Sequence, residues 1–151
     1  MPDILHFVRI QAPAQRVYQA LTTADRVRNW WTRDADLDME VGGVGEFRFS
    51  NCGSGYATNI AVEELQPPGH VGWKIVASFR PEWRGTTISF DLREDGSGAI
   101  LIFAQRGFAQ LDERFAQTNT GWAYYLVSLK HFLETGQGSP SPDIDFARML
   151  R

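Results

Sequence analysis

The sequence predicts an α+β fold in which a curved antiparallel sheet packs against one long C-terminal helix. The first observation is the segment GWAYYLVSLKHFLETG at residues 121–136, whose apolar side chains share one side of a helix at about 100° per residue. The stripe contains Trp122, Leu126, Leu129 and Leu133, with Tyr125 and Phe132 beside it and Ser128, Lys130, His131 and Glu134 opposite. The second observation is a series of alternating segments between residues 37 and 108, which supplies a sheet large enough to cover the stripe.

The N-terminal elements are predicted to be one strand followed by two short helices. Alternating apolar residues indicate a strand over residues 4–10. Pro13 suits the first turn of a helix, because its fixed backbone angle and missing N–H cost nothing there. Thr22 or Thr23 is the predicted cap of a second short helix that runs through residues 27–31.

The middle of the chain predicts an antiparallel meander. Gly42 and Gly43 precede a first strand, and further strands follow over residues 56–65, 70–79 and 86–92. The turn Glu94-Asp95-Gly96-Ser97-Gly98 indicates a hairpin into a last strand over residues 99–105. The residues predicted to face inward are Phe47, Phe49, Val71, Trp73, Ile75, Ala77, Phe79, Thr86, Ile88, Phe90, Leu92, Ala99, Leu101, Phe103 and Gln105.

The C-terminal part is predicted to contain a polar segment, the long helix and a tail. Residues 109–120 are expected to begin with a short turn of helix around Phe115, and the long helix is expected to end at Gly136. Residues 1–136 are therefore predicted to form a single domain, and residues 137–151 a tail that starts like a linker. Apolar residues near its end could tie the tail to the domain or to a second subunit; they are Ile144, Phe146, Met149 and Leu150.

Composition excludes several classes of function. The formal charge is −3 and no Lys or Arg run exceeds one residue, so the attraction needed for nucleic-acid backbones is missing. The single cysteine, Cys52, excludes an intramolecular disulfide. No apolar run approaches the about 20 residues of a membrane span, and the start MPDILHFVRI lacks an export signal. We therefore expect a soluble cytoplasmic protein.

Three local motifs resemble one protein family. The opening IQAPAQRVYQALTTADRVRNWW is similar to a pattern of isoleucine, a small residue and proline, then a Val-x-x-Ala-Leu-Thr helix and Trp. The stretch VGGVGEFRF resembles a Gly-Gly-x-(x)-Phe-x-Phe strand, and GWAYYLVSLKHFLETG resembles a Gly-Trp-x-x-x-Leu-x-x-Leu-Lys-x-x-Leu-Glu-x-Gly closing helix. Together they resemble the SRPBCC or START-like superfamily, in the branch related to the activator of heat-shock protein 90 ATPase, over residues 3–136.

The resemblance implies the helix-grip fold, in which the sheet wraps around the long helix and leaves an elongated cavity open at one end. Members of the superfamily bind lipids, sterols, polyketides or other apolar molecules, and some catalyse cyclisation or dehydration of polyketides. We therefore expect a binding module for a small hydrophobic or amphipathic molecule. A cyclase or dehydratase and a chaperone-interacting module stay open as alternatives, because fold alone does not establish activity.

The predicted ligand-binding residues are inward rings together with a few polar groups. They are Trp31, Phe47, Phe49, Tyr56, Trp73, Phe79, Phe90, Phe103, Gln105, Trp122, Tyr125 and Leu126. Thr86 and Asn59 are further inward polar candidates. The alternative interpretation is that the rings fill the core themselves and that the polar groups bond to neighbouring backbone.

The sequence predicts no metal site, no cofactor and no nucleophile. His6, His70 and His131 fall on different elements, and Cys52 lies in a loop without a visible base. The carboxylates and arginines around residues 33–48 are expected on the solvent side of the sheet. Tyr124 and Val127 face away from the apolar stripe, so we expect the tail or a homodimer contact to cover them.

Overall fold

Seven antiparallel strands and one long helix form the body of the protein. The computed structural model describes residues 1–49 and 56–143. The strands are β1 Ile4–Ile10, β2 Asp34–Leu37, β3 Val44–Arg48, β4 Ala57–Gln66, β5 His70–Ser78, β6 Thr87–Asp95 and β7 Gly98–Arg106. They form one sheet in the order β1-β7-β6-β5-β4-β3-β2, so β1 and β2 are its two edges. The predicted fold class, a curved antiparallel sheet around a C-terminal helix, is confirmed.

Two short helices follow β1, as predicted. Helix α1, Ala14–Thr22, begins directly after Pro13, and helix α2 covers only Ala24–Val27. The predicted extension of the second helix to residue 31 is wrong, because residues 28–31 are turns. Thr23 precedes α2, but its hydroxyl donates back to the Gln19 carbonyl at 2.9 Å and does not cap the helix.

A bulge in β5 reverses the predicted alternation near the end of that strand. Asn59 pairs with Ala77, whereas the next residue of β4, Ile60, pairs with Ile75. The extra residue on β5 turns Ala77 to the outside and Ser78 to the inside. The prediction that Ala77 faces inward is therefore wrong, since one inserted residue reverses the faces of the strand residues that follow it, here Ala77 and Ser78.

Helix α3, Glu113–Thr135, is one continuous helix and starts well before Gly121. Asp112 caps it by accepting a hydrogen bond from the Phe115 backbone N–H at 3.0 Å. Gly136 ends it with a left-handed φ of 84°. The expected separate turn around Phe115 is thus its first turn.

The apolar stripe of α3 is buried as predicted, but Ser128 is not on a solvated side. Trp122, Leu126, Leu129 and Leu133 are all buried. The Ser128 hydroxyl donates to the Trp30 carbonyl and accepts from the Ser139 backbone N–H, both at 2.8 Å. The prediction for Ser128 is wrong because these long-range partners satisfy its polar group inside the fold.

Candidate functional site

Rings from the sheet, from the turn after α2 and from α3 meet between sheet and helix. We call Trp31, Phe47, Phe49, Trp73, Phe90, Phe103 and Trp122 the ring cluster. The Trp31 ring centroid lies 4.4 Å from that of Phe47 and 5.1 Å from that of Trp122. Trp122 lies 4.4 Å from Phe103. Strand alternation and the helix stripe therefore bring together predicted residues that are distant in sequence.

The inner part of the ring cluster is closed to solvent. Phe47, Phe90 and Phe103 have 0% of their surface exposed, and Trp73 and Trp122 have 1% and 2%. Leu126, which was predicted to line the cavity, is also fully buried. Because these side chains expose almost none of their surface to water, a guest molecule has to displace rings before it contacts them.

One end of the ring cluster is only partly covered. Phe49 contacts Phe79 at 5.9 Å between ring centroids, and Phe79 contacts Tyr56 at 5.2 Å. Phe79 is half-buried and Tyr56 is 41% exposed. We call Phe49, Tyr56 and Phe79 the outer rim. Residues 50–55, which contain Cys52, connect two of its members and lie outside the described part of the chain.

Gln105 is buried and bonded to protein groups on both sides of its amide. Its oxygen accepts from the Trp122 indole N–H at 2.7 Å, and its nitrogen donates to the Thr86 hydroxyl at 3.0 Å. The Thr86 hydroxyl in turn donates to the Trp83 carbonyl at 2.6 Å. The Trp83 indole donates to the Thr118 hydroxyl at 2.9 Å. Gln105 thus ties strand β7 to helix α3.

The sequence does not predict two of the polar side chains that face inward. Thr58 and Ser78 are buried, and their hydroxyl oxygens lie 2.8 Å apart. Asn59, which was predicted to face inward, lies on the other face of β4 and is partly exposed. The alternation of apolar and polar residues along β5 does not indicate the bulge, so the sequence does not predict that Ser78 faces inward.

Two buried nitrogens near the ring cluster lack a partner within residues 1–49 and 56–143. They are Trp73 Nε1 and His6 Nε2. The His6 ring lies 6.2 Å from Phe103, on the inward face of the edge strand β1. His70, farther away, bonds to Asp91 through Nδ1 at 2.6 Å, while its Nε2 also lacks a hydrogen-bond partner among the described residues, and His131 is exposed. Within the described segments, no group of histidine, cysteine and carboxylate side chains could hold a metal ion.

Charged side chains lie on the solvent side, as expected. Arg48 pairs with Asp34 at 3.0 Å, with Glu46 at 3.3 Å and also with Asp36. Arg28 donates to the Ala35 backbone oxygen at 2.7 Å. In the described part of the chain, the fully buried polar side chains are threonine, serine and glutamine. That region therefore holds no buried pair of acid and base side chains.

The first residues of the tail pack against the turn that carries Trp31. We call residues 138–143 the tail strap. The Ser141 backbone N–H donates to the Trp31 carbonyl, and the Arg33 N–H donates to the Ser141 carbonyl, both at 2.8 Å. Arg33 Nε also donates to Asp143 at 2.7 Å, and this hydrogen bond lowers the pKa of the Asp143 carboxyl.

The tail strap covers part of the surface that faces away from the sheet. The Tyr124 hydroxyl donates to the Ser139 carbonyl at 3.2 Å, and burial raises the pKa of Tyr124. Tyr125 is buried with its ring 5.1 Å from that of Tyr124. Val127 stays 51% exposed. The predicted anchors Ile144, Phe146, Met149 and Leu150 lie outside the described residues.

Comparison with known proteins gives a family and several structural relatives. A sequence model described as Activator of Hsp90 ATPase homolog 1-like protein matches residues 11–134. The solution structure of the Aha1 dimer from Colwellia psychrerythraea is 34% identical, with a TM-score of 0.81, over 91% of this chain and all of that chain. No curated protein matches the sequence significantly.

Two more distant structures share the fold. Protein SSP2350 from Staphylococcus saprophyticus is 20% identical with a TM-score of 0.76, covering 91% of this chain and 95% of that one. DynU16, from the dynemicin biosynthetic locus, is 21% identical with a TM-score of 0.75, covering 90% of this chain but 48% of that one. None of the described helices is long and apolar enough to cross a membrane.

Proposed function

The chain belongs to the Activator of Hsp90 ATPase homolog 1-like family, and on this basis we propose that it binds a small hydrophobic or amphipathic molecule between sheet and α3. The observation that carries the proposal is the continuity of the ring cluster with the outer rim. A chain of ring contacts runs from Tyr56 and Phe79 through Phe49 and Trp31 to Trp73. An apolar molecule that lands on the rim can therefore move inward by replacing one ring contact with another.

The affinity depends on how much apolar ligand surface is buried and on the free energy needed to displace the rings that fill the site. Removing about 200 Å² of apolar ligand surface from water stabilises the complex by about 5 kcal/mol. Opening a closely packed interior and ordering the ligand offset part of this gain. The proposal therefore predicts modest affinity, together with outward movement of Phe49 and Trp31.

The test uses N-phenyl-1-naphthylamine, a fluorescent apolar probe, and a charge placed on the outer rim. Phe79→Asp should weaken saturable probe uptake by about tenfold or more, because the new carboxylate lies beside the path of an apolar guest. The matched control is Val44→Asp, which changes an exposed apolar residue on the outer face of β3 and should leave uptake unchanged. Circular dichroism establishes that both variants are folded. Absence of saturable uptake by the wild type, or equal loss in both variants, contradicts the proposal.

A second candidate function is assembly with another copy of the chain through strand β1. Leu5 and Phe7 on the outer face of β1 are 61% and 63% exposed. Lys130 donates to the Arg9 carbonyl at 2.6 Å, so the backbone of Arg9 points away from the neighbouring strand β7. Leu5 and Phe7 share that direction, because alternate residues of a strand bond to the same side. An apolar strip on a strand that pairs with only one other strand in the described structure favours pairing with a further strand.

The comparison with the Colwellia protein supports this candidate, because that protein is described as a dimer. We infer that two copies of the present chain pair their β1 strands about a two-fold axis, with Leu5 and Phe7 buried at the contact. A two-fold contact uses the same patch on both copies, which agrees with one apolar strip on each chain.

A further inference from the structure

The indole N–H of Trp73 lies deep in the ring cluster and finds no acceptor among residues 1–49 and 56–143. The residue is 1% exposed, and its Nε1 has no acceptor anywhere in the described ranges. Three other tryptophans of the chain have a partner for the indole N–H. Trp30 donates to the Ala20 carbonyl, Trp83 to the Thr118 hydroxyl and Trp122 to the Gln105 side-chain oxygen. Since buried donors are nearly always paired, the exception at Trp73 requires an explanation.

Trp73 lies where the proposed path for an apolar guest ends. Its ring centroid lies 6.3 Å from Trp31, 5.7 Å from Phe47 and 5.1 Å from Phe90. These neighbours offer ring surfaces and no strong acceptor. A molecule that moves in among these rings would therefore meet apolar walls and the Trp73 donor.

The chemistry of the donor defines the group that it recognises. An indole N–H donates and does not accept, so its partner has to be an acceptor such as a carbonyl or ether oxygen. His6 Nε2 is less selective, since a histidine nitrogen either donates or accepts according to its tautomer. Within the described segments no lysine or arginine is fully buried, so a carboxylate in this site would lack a compensating charge.

We propose that Trp73 binds the oxygen of an uncharged, largely apolar ligand, such as an aryl ketone, through its indole N–H. This inference rests on the proposed function and adds the chemical class of the ligand. The apolar part of the ligand packs among the rings around Trp73, and its oxygen accepts the N–H that has no acceptor within residues 1–49 and 56–143. A hydrocarbon of the same shape gains the apolar contacts but leaves the donor without a partner.

The test compares 2-acetylnaphthalene with 2-ethylnaphthalene as competitors of N-phenyl-1-naphthylamine. The two compounds have similar shapes, and only the ketone carries an acceptor. Burying the ketone oxygen costs its hydrogen bonds to water, so the informative quantity is the affinity of the ketone relative to that of the hydrocarbon. This ratio should be about tenfold higher in wild-type protein than in Trp73→Phe, which corresponds to about 1.4 kcal/mol. Trp83→Phe is the control, because the Trp83 indole N–H is already paired with Thr118, and this variant should keep the wild-type ratio.

A spectroscopic measurement on wild-type protein supplies a second readout that does not depend on a variant's folding. The assigned indole proton of Trp73 should move downfield when the ketone is added and should not do so with the hydrocarbon. Probe uptake with the same ketone-to-hydrocarbon affinity ratio in wild type and Trp73→Phe overturns the inference and leaves the proposed function standing. Failure of the probe and of both competitors to bind refutes both.

Discussion

At the scale of single residues, Gln105 shows how one buried amide organises the interior. It accepts from Trp122 and donates to Thr86, so one side chain satisfies groups on α3 and beside β6. Its position is fixed by β7, where Phe103 and Gln105 face the same side. Because its oxygen already accepts from Trp122, the amide holds the ring of Trp122 in place beside Phe103.

Replacing Gln105 by leucine should destabilise the fold although volume and burial are nearly kept. Gln105→Leu leaves the Trp122 indole N–H buried without an acceptor, which costs about 2 kcal/mol of the free energy of unfolding. Urea denaturation followed by circular dichroism measures this loss. The double variant Gln105→Leu with Trp122→Phe has no unpaired indole donor. Its loss of stability should therefore be smaller than the sum of the losses in the two single variants. Strict additivity would show that the hydrogen bond carries no stability.

The sequence predicts inward residues well wherever a strand runs without interruption. Alternation places Phe90, Phe103 and Gln105 inside, and all are buried. It misplaces Ala77, because the bulge in β5 arises from pairing with β4 and leaves no local pattern. It also misplaces Ser128, whose buried hydroxyl is satisfied by Trp30 and Ser139, two residues far away along the chain.

The site is less predictable than the fold for the same physical reason. Local periodicity indicates which face a side chain occupies, but it does not indicate which partner that side chain finds. The pairing of Gln105 with Trp122 and the missing partner of Trp73 both depend on packing between distant segments. The edge strand β2 was missed as well, since its four residues, Asp34–Leu37, include two exposed aspartates and offer little apolar alternation.

At the scale of elements, the tail strap links the C-terminal end of α3 to the turn that carries Trp31. Gly138 lies so close to the Asn29 carbonyl oxygen that a methyl group at its Cα would overlap that atom. The close approach allows Ser139 and Ser141 to bond to Ser128 and Trp31. Glycine is therefore required here by contact with backbone.

Substituting Gly138 by alanine should lift the strap away from the turn. The added methyl group would overlap the Asn29 backbone, which cannot move aside as a flexible side chain can. We therefore expect Gly138→Ala to lower the free energy of unfolding by about 1–3 kcal/mol. Hydrogen exchange should become faster at the Arg33 and Ser141 amides, whose bonds join strap and turn. Gln137→Ala, at an exposed neighbouring position, is the control and should change neither quantity. Unaltered exchange in Gly138→Ala would contradict this account of the strap.

At the scale of the whole molecule, the arrangement of apolar surface favours association at the β1 edge. Phe7→Asp should shift the protein from dimer to monomer in sedimentation equilibrium, because it places like charges opposite each other across a two-fold contact. Val44→Asp is the matched control: Val44 is 64% exposed on β3, far from β1 in the sheet order. A wild-type monomer at high micromolar concentration, or equal effects of both substitutions, would exclude the β1 contact.

The hydrogen bond from Arg28 to the Ala35 carbonyl has a consequence for how far such association can proceed. Two chains joined at β1 would present β2 at both outer margins of the combined fourteen-stranded sheet, twice the seven strands of one chain. There the Arg28 guanidinium group already occupies the Ala35 backbone acceptor, and the ion-paired side chains of Asp34, Asp36 and Arg48 line the strand with charged groups that would have to be desolvated by an approaching copy. Growth should therefore terminate at the pair, and concentrated solutions should stay free of fibrils.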